Sequence, residues 1–434
     1  MDSYSNFENK QPIHRKRKEL MTIAIIGILT ISTIFLYTFI INSPIIPSEL
    51  PAINIISEGD ITPEDYINCN FELISENSED SISTMEANIK VRGHANAKDK
   101  IPKKGYRIEL SEEKSLLGME RDDDWHLLAM YYDFPRMRIK TSFELWRSLN
   151  TLNPTAILPD SEYVRLYLNG EFQGLYLLTQ RVDQKLFGLD DAQNNNLSSL
   201  IFQNKKASTF RTYDSGAWEQ DWPNEDEDIY IMDEIMTELF NFVCNSPDEA
   251  FFDPVTGVYS KFNKLNLIDF YIFNVLIDHK DFWYTNYYIV RDTAPSKFYL
   301  IPWDFDGSLG QRGWVIFDFD ENPNERIFER NELFTRLINN EDFISECKNR
   351  WIYLRQEVWT DEFIFDLVSD IYNDYKEFIK IDTNIWKPIT VDDESLVYNR
   401  YLYSTKEFSL EEYVNYLFEF IPERLEFSDS YFCG

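Results

Sequence analysis

The sequence predicts an α+β protein in two parts, a strand-rich N-terminal lobe and a helical C-terminal lobe, preceded by one transmembrane helix. Three patterns carry that expectation. Residues 20–41 contain no charge and follow a basic cluster. Residues 87–178 hold short apolar, alternating runs separated by turn signals, whereas from residue 229 apolar residues recur at helical spacing. At 434 residues the chain has room for two or three average domains or for one large two-lobed domain. The expected organisation is a basic tail (1–19), a membrane span (20–41), a linker with the start of the first lobe (42–88), the strand-rich lobe (89–183) and the helical lobe (184–434).

Composition narrows the partners. Hydrophobic residues make up 44 % and aromatic residues 16 %, enough for a packed core and against bulk disorder. The net charge is −33, from 42 Lys and Arg against 75 Asp and Glu. A field of that sign repels nucleic acid and excludes it as a general partner. It suits cations, basic protein segments or simple solubility.

In the first segment, His14-Arg15-Lys16-Arg17-Lys18 precede the apolar run, which is long enough to cross a hydrocarbon core as a helix. Basic residues on that flank place the N-terminus in the cytoplasm and all that follows residue 42 outside it. A cleaved signal peptide has a shorter apolar part that ends in small residues; this one ends Phe39-Ile40-Ile41, so a single-pass signal anchor is expected. The linker contains Pro44 and Pro47. Cys69, Cys244, Cys347 and Cys433 show no metal-type spacing, and both buried thiols and disulfides of unread pairing remain open.

In the first lobe, residues 52–56 read as a short strand and residues 75–83 as an acidic, Ser-rich loop. Residues 87–91 read as a strand leading into Arg92-Gly93-His94-Ala95-Asn96-Ala97-Lys98, and Lys103-Lys104-Gly105-Tyr106-Arg107-Ile108-Glu109-Leu110 as another. Strand, small-residue loop and basic strand can cover phosphates, because backbone N–H groups, Lys and Arg all meet phosphate oxygens. An ordinary hairpin with surface lysines is the plainer alternative. Trp125-His126-Leu127-Leu128-Ala129 reads as a buried strand, and residues 135–149 as a helix bearing Arg136, Arg138, Lys140 and Glu144, charges expected at the surface. Residues 163–178 form a hairpin around Asn169-Gly170, which supplies the positive φ angles of a type I′ turn. Residues 180–183 then leave the sheet as a connector.

The second lobe opens with an acidic stretch, residues 190–228, read as loops with short strands. Helices are expected at 229–244, 265–277, 331–337, 343–358, 363–378 and 410–420, with Pro422 ending or kinking the last. Residues 265–277 are apolar nearly all round, as a central helix would be. After them come Asp278, His279, Lys280, Asp281 and Asn286, then strands at 287–290 and 298–301, then Ile301-Pro302-Trp303-Asp304-Phe305-Asp306-Gly307. The hairpin returns Asp304 to the edge it left at Asn286. Carboxylates and an amide converging there match the oxygen ligands of Mg²⁺, which takes one or two carboxylates plus phosphate and water. Helix, Asp, Asn five residues on, two strands and a second Asp is the layout of a protein-kinase catalytic and metal loop. Asp281 then orients or deprotonates the acceptor hydroxyl, and Asn286 and Asp304 hold the cation. Asp278 and Asp269 read as structural, and His279 as packed or hydrogen-bonded.

Five ordered motifs together resemble the spore-coat protein H (CotH) kinase family: Arg92-Gly93 with Lys103 to Arg107; residues 125–129 with Asp133 and Arg138; Tyr167 to Tyr176; Asp281 with Asn286; and residues 301–306 with Gly310. The resemblance covers about residues 89–310. It implies an atypical protein-kinase-like fold and ATP-dependent phosphorylation of protein Ser or Thr with Mg²⁺ or Mn²⁺. It also implies a catalytic Asp281, metal ligands Asn286 and Asp304 with Asp306 beside them, and phosphate cover from Arg92, Gly93, Lys104 and Arg107. Two positions depart from the family pattern: His279 stands for Asn, and His94-Ala95-Asn96 for an Asn-Ser-Ser-like loop. The expected partners are a nucleotide, a basic or Ser-rich protein substrate and the membrane. The alternative from another class is a non-catalytic surface or spore-coat assembly scaffold that keeps the fold.

Overall fold

Seven strands near the N-terminus close into a barrel: β1 (Ala52–Ser57), β2 (Ile67–Ile74), β3 (Ile82–Arg92), β4 (Gly105–Lys114), β5 (Asp122–Leu128), β6 (Ser161–Leu168) and β7 (Glu171–Gln180). The computed structural model describes residues 49–92, 101–205, 210–223, 232–280, 285–313, 315–387, 403–404 and 408–434. The expected membrane span, the loop from Gly93 to Lys98 and Asp281 lie outside these residues. Among the described residues no helix is long and apolar enough to cross a membrane.

The barrel order is β1-β2-β3-β4-β5-β7-β6, and β1 closes it by pairing parallel to β6, Ala52 with Arg165 through Ile55 with Leu168. Closure removes the unpaired strand edges that would otherwise invite aggregation. Alternation along each strand sends one set of side chains inward. Ile53, Ile55, Phe71, Ile89, Ile108, Trp125, Leu127, Val164 and Leu166 meet there in a core of their own. The β6–β7 turn has Asn169 at φ +50° and Gly170 at φ +82°, as its sequence requires.

A second, larger core lies mostly beyond the barrel and takes Leu128, Tyr163, Leu175 and Leu177 from its strands. Its sheet, antiparallel throughout, has the order β11-β10-β8-β9, formed by β8 (Leu200–Asn204), β9 (Trp218–Trp222), β10 (Tyr287–Arg291) and β11 (Tyr299–Pro302). A small sheet joins β12 (Gln311–Arg312), β13 (Val315–Ile316) and β14 (Tyr403–Ser404). The longer helices among the described residues are, in chain order, α1 (Arg138–Arg147), α2 (Met232–Asn245), α3 (Lys264–Leu276), α4 (Asn324–Arg330), α5 (Glu332–Ile338), α6 (Glu341–Glu357), α7 (Asp361–Ile385) and α8 (Leu410–Cys433). The architecture is mixed α+β as expected, although the second half carries a full four-stranded sheet besides its helices.

Helix α3 starts at an Asn263 cap and buries every residue from Asn266 to Leu276. Its Asp269 is fully buried and receives Arg350 through two hydrogen bonds, at 2.7 and 2.9 Å, and Asn153 at 2.9 Å, so it is a structural residue. Helix α8 runs past Pro422 to Cys433 rather than ending there. Pro422 faces solvent, where water can satisfy the carbonyl that lost its donor, while Phe420, Ile421 and Leu425 hold the helix on the core. Arg136 and Arg138, expected at the surface, are instead buried. Arg138 lies 3.6 Å from Asp133, and Arg136 joins Asp382. All four cysteines are free thiols.

Candidate active site

Helix α3 ends at Leu276, and the chain turns sharply through Asp278, which has φ +50°. Its backbone is then stitched to the loop after β11. Leu309 N–H donates to Ile277 O at 2.6 Å, and Lys280 N–H to Gly307 O at 3.0 Å. The His279 ring meets the Asp304 carbonyl at 3.0 Å and packs, tilted by 47°, with its centroid 5.5 Å from that of Phe305. His279 is therefore a packing and hydrogen-bonding residue, as its sequence context indicates.

Register does the rest. Tyr287 opposes Pro302 in the β10–β11 pair, and Trp303 N–H donates to Asn286 O at 2.9 Å one step further on. Asn286 and Asp304 thus flank neighbouring strand ends, the first at φ +62° and the second at φ +61°. Left-handed backbone at non-glycine residues costs on the order of 1 kcal/mol or more and gathers at functional sites. Asn286 N–H is anchored on Asn204 O of β8 at 3.3 Å. The Asp304 side chain is exposed, and Asp306, two residues on, is partly buried 3.5 Å from Arg312. Amide and carboxylate oxygens of this kind are hard donors suited to Mg²⁺ completed by phosphate and water. Among the described residues no three His, Cys, Asp or Glu side chains converge.

The outer face of the barrel supplies the opposite charge. The Arg92 guanidinium stands 5.9 Å from the Trp303 ring, on the residue before Asp304. Burial pulls its pKa below the ordinary arginine value, and Asp304 is the first group opposing that pull. Arg107 sits opposite His126 across β4 and β5. His126 is 5 % exposed, and neither ring nitrogen has a hydrogen-bond partner among the described residues. Its pKa lies well below the usual histidine range, through burial first and then through Arg92, Arg107, Arg181 and Lys205. Two of these cations are already paired, Arg181 with Asp124 at 3.4 Å and Lys205 with Glu219.

Lys104 is half-buried, and its carbonyl accepts from the Tyr176 hydroxyl at 2.9 Å. Its neighbour Lys103 is the enclosed one, paired with Asp382 of α7 at 2.8 Å. Strand alternation from Tyr106, Ile108 and Leu110 would send Lys104 inward, but the bend at 102–103 breaks the alternation before β4 begins. Asp278 is buried 2.5 Å from Lys280 and is structural, as read. The structure thus sets Asn286 and Asp304 at neighbouring strand ends with Asp306 two residues on, places Arg92 over Trp303, and sets Arg107 opposite His126. Sequence reading missed His126, Arg181 and Lys205. For His126 the signal was present, since polar residues between Trp125 and Leu127 must leave the barrel core. For Arg181 and Lys205 no local signal exists, because each comes from the end of a different strand.

Comparison with known proteins identifies relatives of this chain. The family model described as CotH kinase protein matches residues 89–428, past the last motif of the sequence reading and through most of the helical half. The inner spore coat protein H of Bacillus subtilis (strain 168) is 26 % identical over 293 residues, covering 64 % of this chain and 74 % of that protein.

Proposed function

The chain belongs to the CotH kinase protein family, and from that membership we propose that it is a phosphotransferase moving the γ-phosphate of ATP to Ser or Thr hydroxyls of a protein. The observation that carries this reading is the pairing of Asn286 with Asp304 at adjacent strand ends, on left-handed backbone, with Arg92 beside them. In a metal loop the amide and carboxylate project from fixed backbone toward one point, and a cation-lined face opposite them suits a polyphosphate.

The roles follow from chemistry. Asp281 accepts the proton of the acceptor hydroxyl or orients it, a task that geometry within hydrogen-bond reach makes possible. Asn286 and Asp304 hold Mg²⁺ or Mn²⁺, with Asp306 beside them. The bound cation supplies neutralisation of charge on the phosphate oxygens. Arg92 and Arg107, with Gly93 and Lys104 from the adjoining loop, fix the phosphates by charge-assisted hydrogen bonds. The low pKa of His126 keeps it neutral, so it adds a donor without adding charge. The acidic balance of the chain favours a basic or Ser-rich acceptor segment. Residues 20–41 anchor the protein in a membrane with the catalytic part on the far side.

A second reading rests on the name of the Bacillus subtilis relative, a spore coat protein: the chain acts as a coat-assembly scaffold that keeps the fold without catalysis. One experiment separates the two. Full-length protein, γ-labelled ATP and Mg²⁺ or Mn²⁺ yield labelled protein under the first reading, with a loss of about 10²- to 10⁴-fold in Asp281→Asn and comparable loss in Asp304→Ala. Absence of transfer by the wild type, with no nucleotide binding in the presence of metal, leaves the scaffold.

A further inference from the structure

A buried cation stands immediately before Asp281. Lys280 is 2 % exposed, and its Nζ lies 2.5 Å from Asp278 Oδ2 and 2.6 Å from Glu321 Oε2, above the Phe317 ring at 4.5 Å. Its N–H holds Gly307 O at 3.0 Å, and its carbonyl accepts from Arg326 Nη1 at 3.3 Å. Arg326 in turn pairs with Glu321. From α8, Arg424 donates to Val275 O at 3.0 Å, Phe319 O at 2.6 Å and Glu321 O at 3.0 Å. Three segments therefore meet at Lys280: its ammonium group joins Asp278, after the end of α3, to residues 317–321, and its backbone N–H ties it to the loop after Asp304.

Enclosing a lysine costs several kcal/mol unless its partners compensate, and an apolar side chain of the same length would fill the space at less cost. The ion pairs impose geometry that packing alone would not. Consecutive Cα atoms are about 3.8 Å apart, so any turn of the Lys280 backbone passes directly to residue 281. Glu321, whose side chain is 31 % exposed, is the outer corner of the bridge and can be altered without opening the core.

We propose that Lys280 and Glu321 are positioning residues of the phosphotransfer site: the Asp278–Lys280–Glu321 bridge fixes the backbone that leads into Asp281 on residues 317–321, and so holds in place the Lys280 N–H that ties this backbone to the loop after Asp304. This inference rests on the proposed roles of Asp281 and Asp304. It accounts for a charged residue at a position that solvent scarcely reaches.

The test uses full-length protein with γ-labelled ATP and Mg²⁺, reading self-labelling and transfer to a basic Ser-containing peptide, alongside Mg·ATP affinity and the unfolding midpoint. Glu321→Gln and Lys280→Met each lower kcat, by about 10²-fold if the reacting groups move by an ångström, with KM for ATP unchanged. Lys280→Arg, which keeps the bridge, recovers part of the rate. Wild-type kcat in Glu321→Gln overturns the proposal. So does a loss of rate that only follows a fall in the folded fraction, which would make Lys280 a packing residue. If the wild type itself neither binds nor turns over ATP, the reading of the site fails first and the positioning role falls with it.

Discussion

Asp382 and Asp304 each lie near arginine, in opposite settings. Asp382 is fully enclosed between α7 and the barrel, where Lys103 reaches it at 2.8 Å, Arg136 at 2.7 Å and Leu175 N–H at 2.8 Å. Asp304 is exposed on left-handed backbone, with its own carbonyl taken by His279. The first carboxylate has every oxygen satisfied by the protein, so it ties two parts of the architecture. The second leaves its oxygens facing solvent at a backbone cost, so it is available to something else. Charge that is enclosed and matched reads as structure, and charge that is strained and open reads as function.

Substituting the two aspartates in parallel breaks the comparison most sharply. Asp304→Ala removes phosphate transfer and leaves the denaturant midpoint unchanged. Asp382→Ala does the reverse: it strands Lys103 and Arg136 without a counter-charge, at a cost of about 3–5 kcal/mol, while activity per folded molecule persists. Burial pushes the Asp382 carboxyl up, but Lys103 and Arg136 outweigh burial and hold it below the usual carboxylate range. Its stabilisation is accordingly present above a pH of about 4 and lost as pH falls further. Denaturant titrations of wild type and Asp382→Ala should converge at acid pH, and parallel curves would contradict the assignment.

Gly174 sharpens the structural side. It has φ +107°, and a Cβ there would run into Asp382 Oδ1. Gly174→Ala should destabilise by about 1–3 kcal/mol, less than loss of the carboxylate itself, because the Asp382 side chain can shift. A melting point equal to wild type would show that the contact between β7 and α7 is looser than described.

The smallest effect lies on the functional side. His126 is held neutral in the fold, so the unfolded chain binds its proton more readily and stability falls as pH drops below about 6.5. The slope from this one group is at most about 1.4 kcal/mol per pH unit. His126→Gln should flatten the stability curve between pH 6.5 and 5, and an unchanged curve would remove His126 from the cation cluster.

Much of this geometry is local and therefore legible from sequence. Asn169-Gly170 dictates its turn, residues 265–277 dictate a buried helix, and the short runs around residue 294 dictate the hairpin that carries Asp304 back to Asn286. Closure of the barrel was not legible, since the parallel β1–β6 pair depends on strands more than a hundred residues apart. Nor was the identity of the inward lysine. Lys103 turns in because of a bend before β4 and because Asp382, far along the chain, waits for it. The burial of Arg136 was hidden for the same reason: its partner belongs to α7. The Lys280–Glu321 bridge spans 41 residues and a turn that no local pattern predicts.

The central claim is that the Asn286–Asp304 edge and the cationic barrel face together bind a metal–nucleotide complex. Calorimetric titration of Mg·ATP into the full-length protein tests it most directly. The account predicts saturable, metal-dependent binding by the wild type, and loss of the metal-dependent part in Asp304→Ala with the unfolding midpoint unchanged. Binding by Asp304→Ala with the same affinity and metal dependence as the wild type, or no binding by the wild type at all, would contradict it.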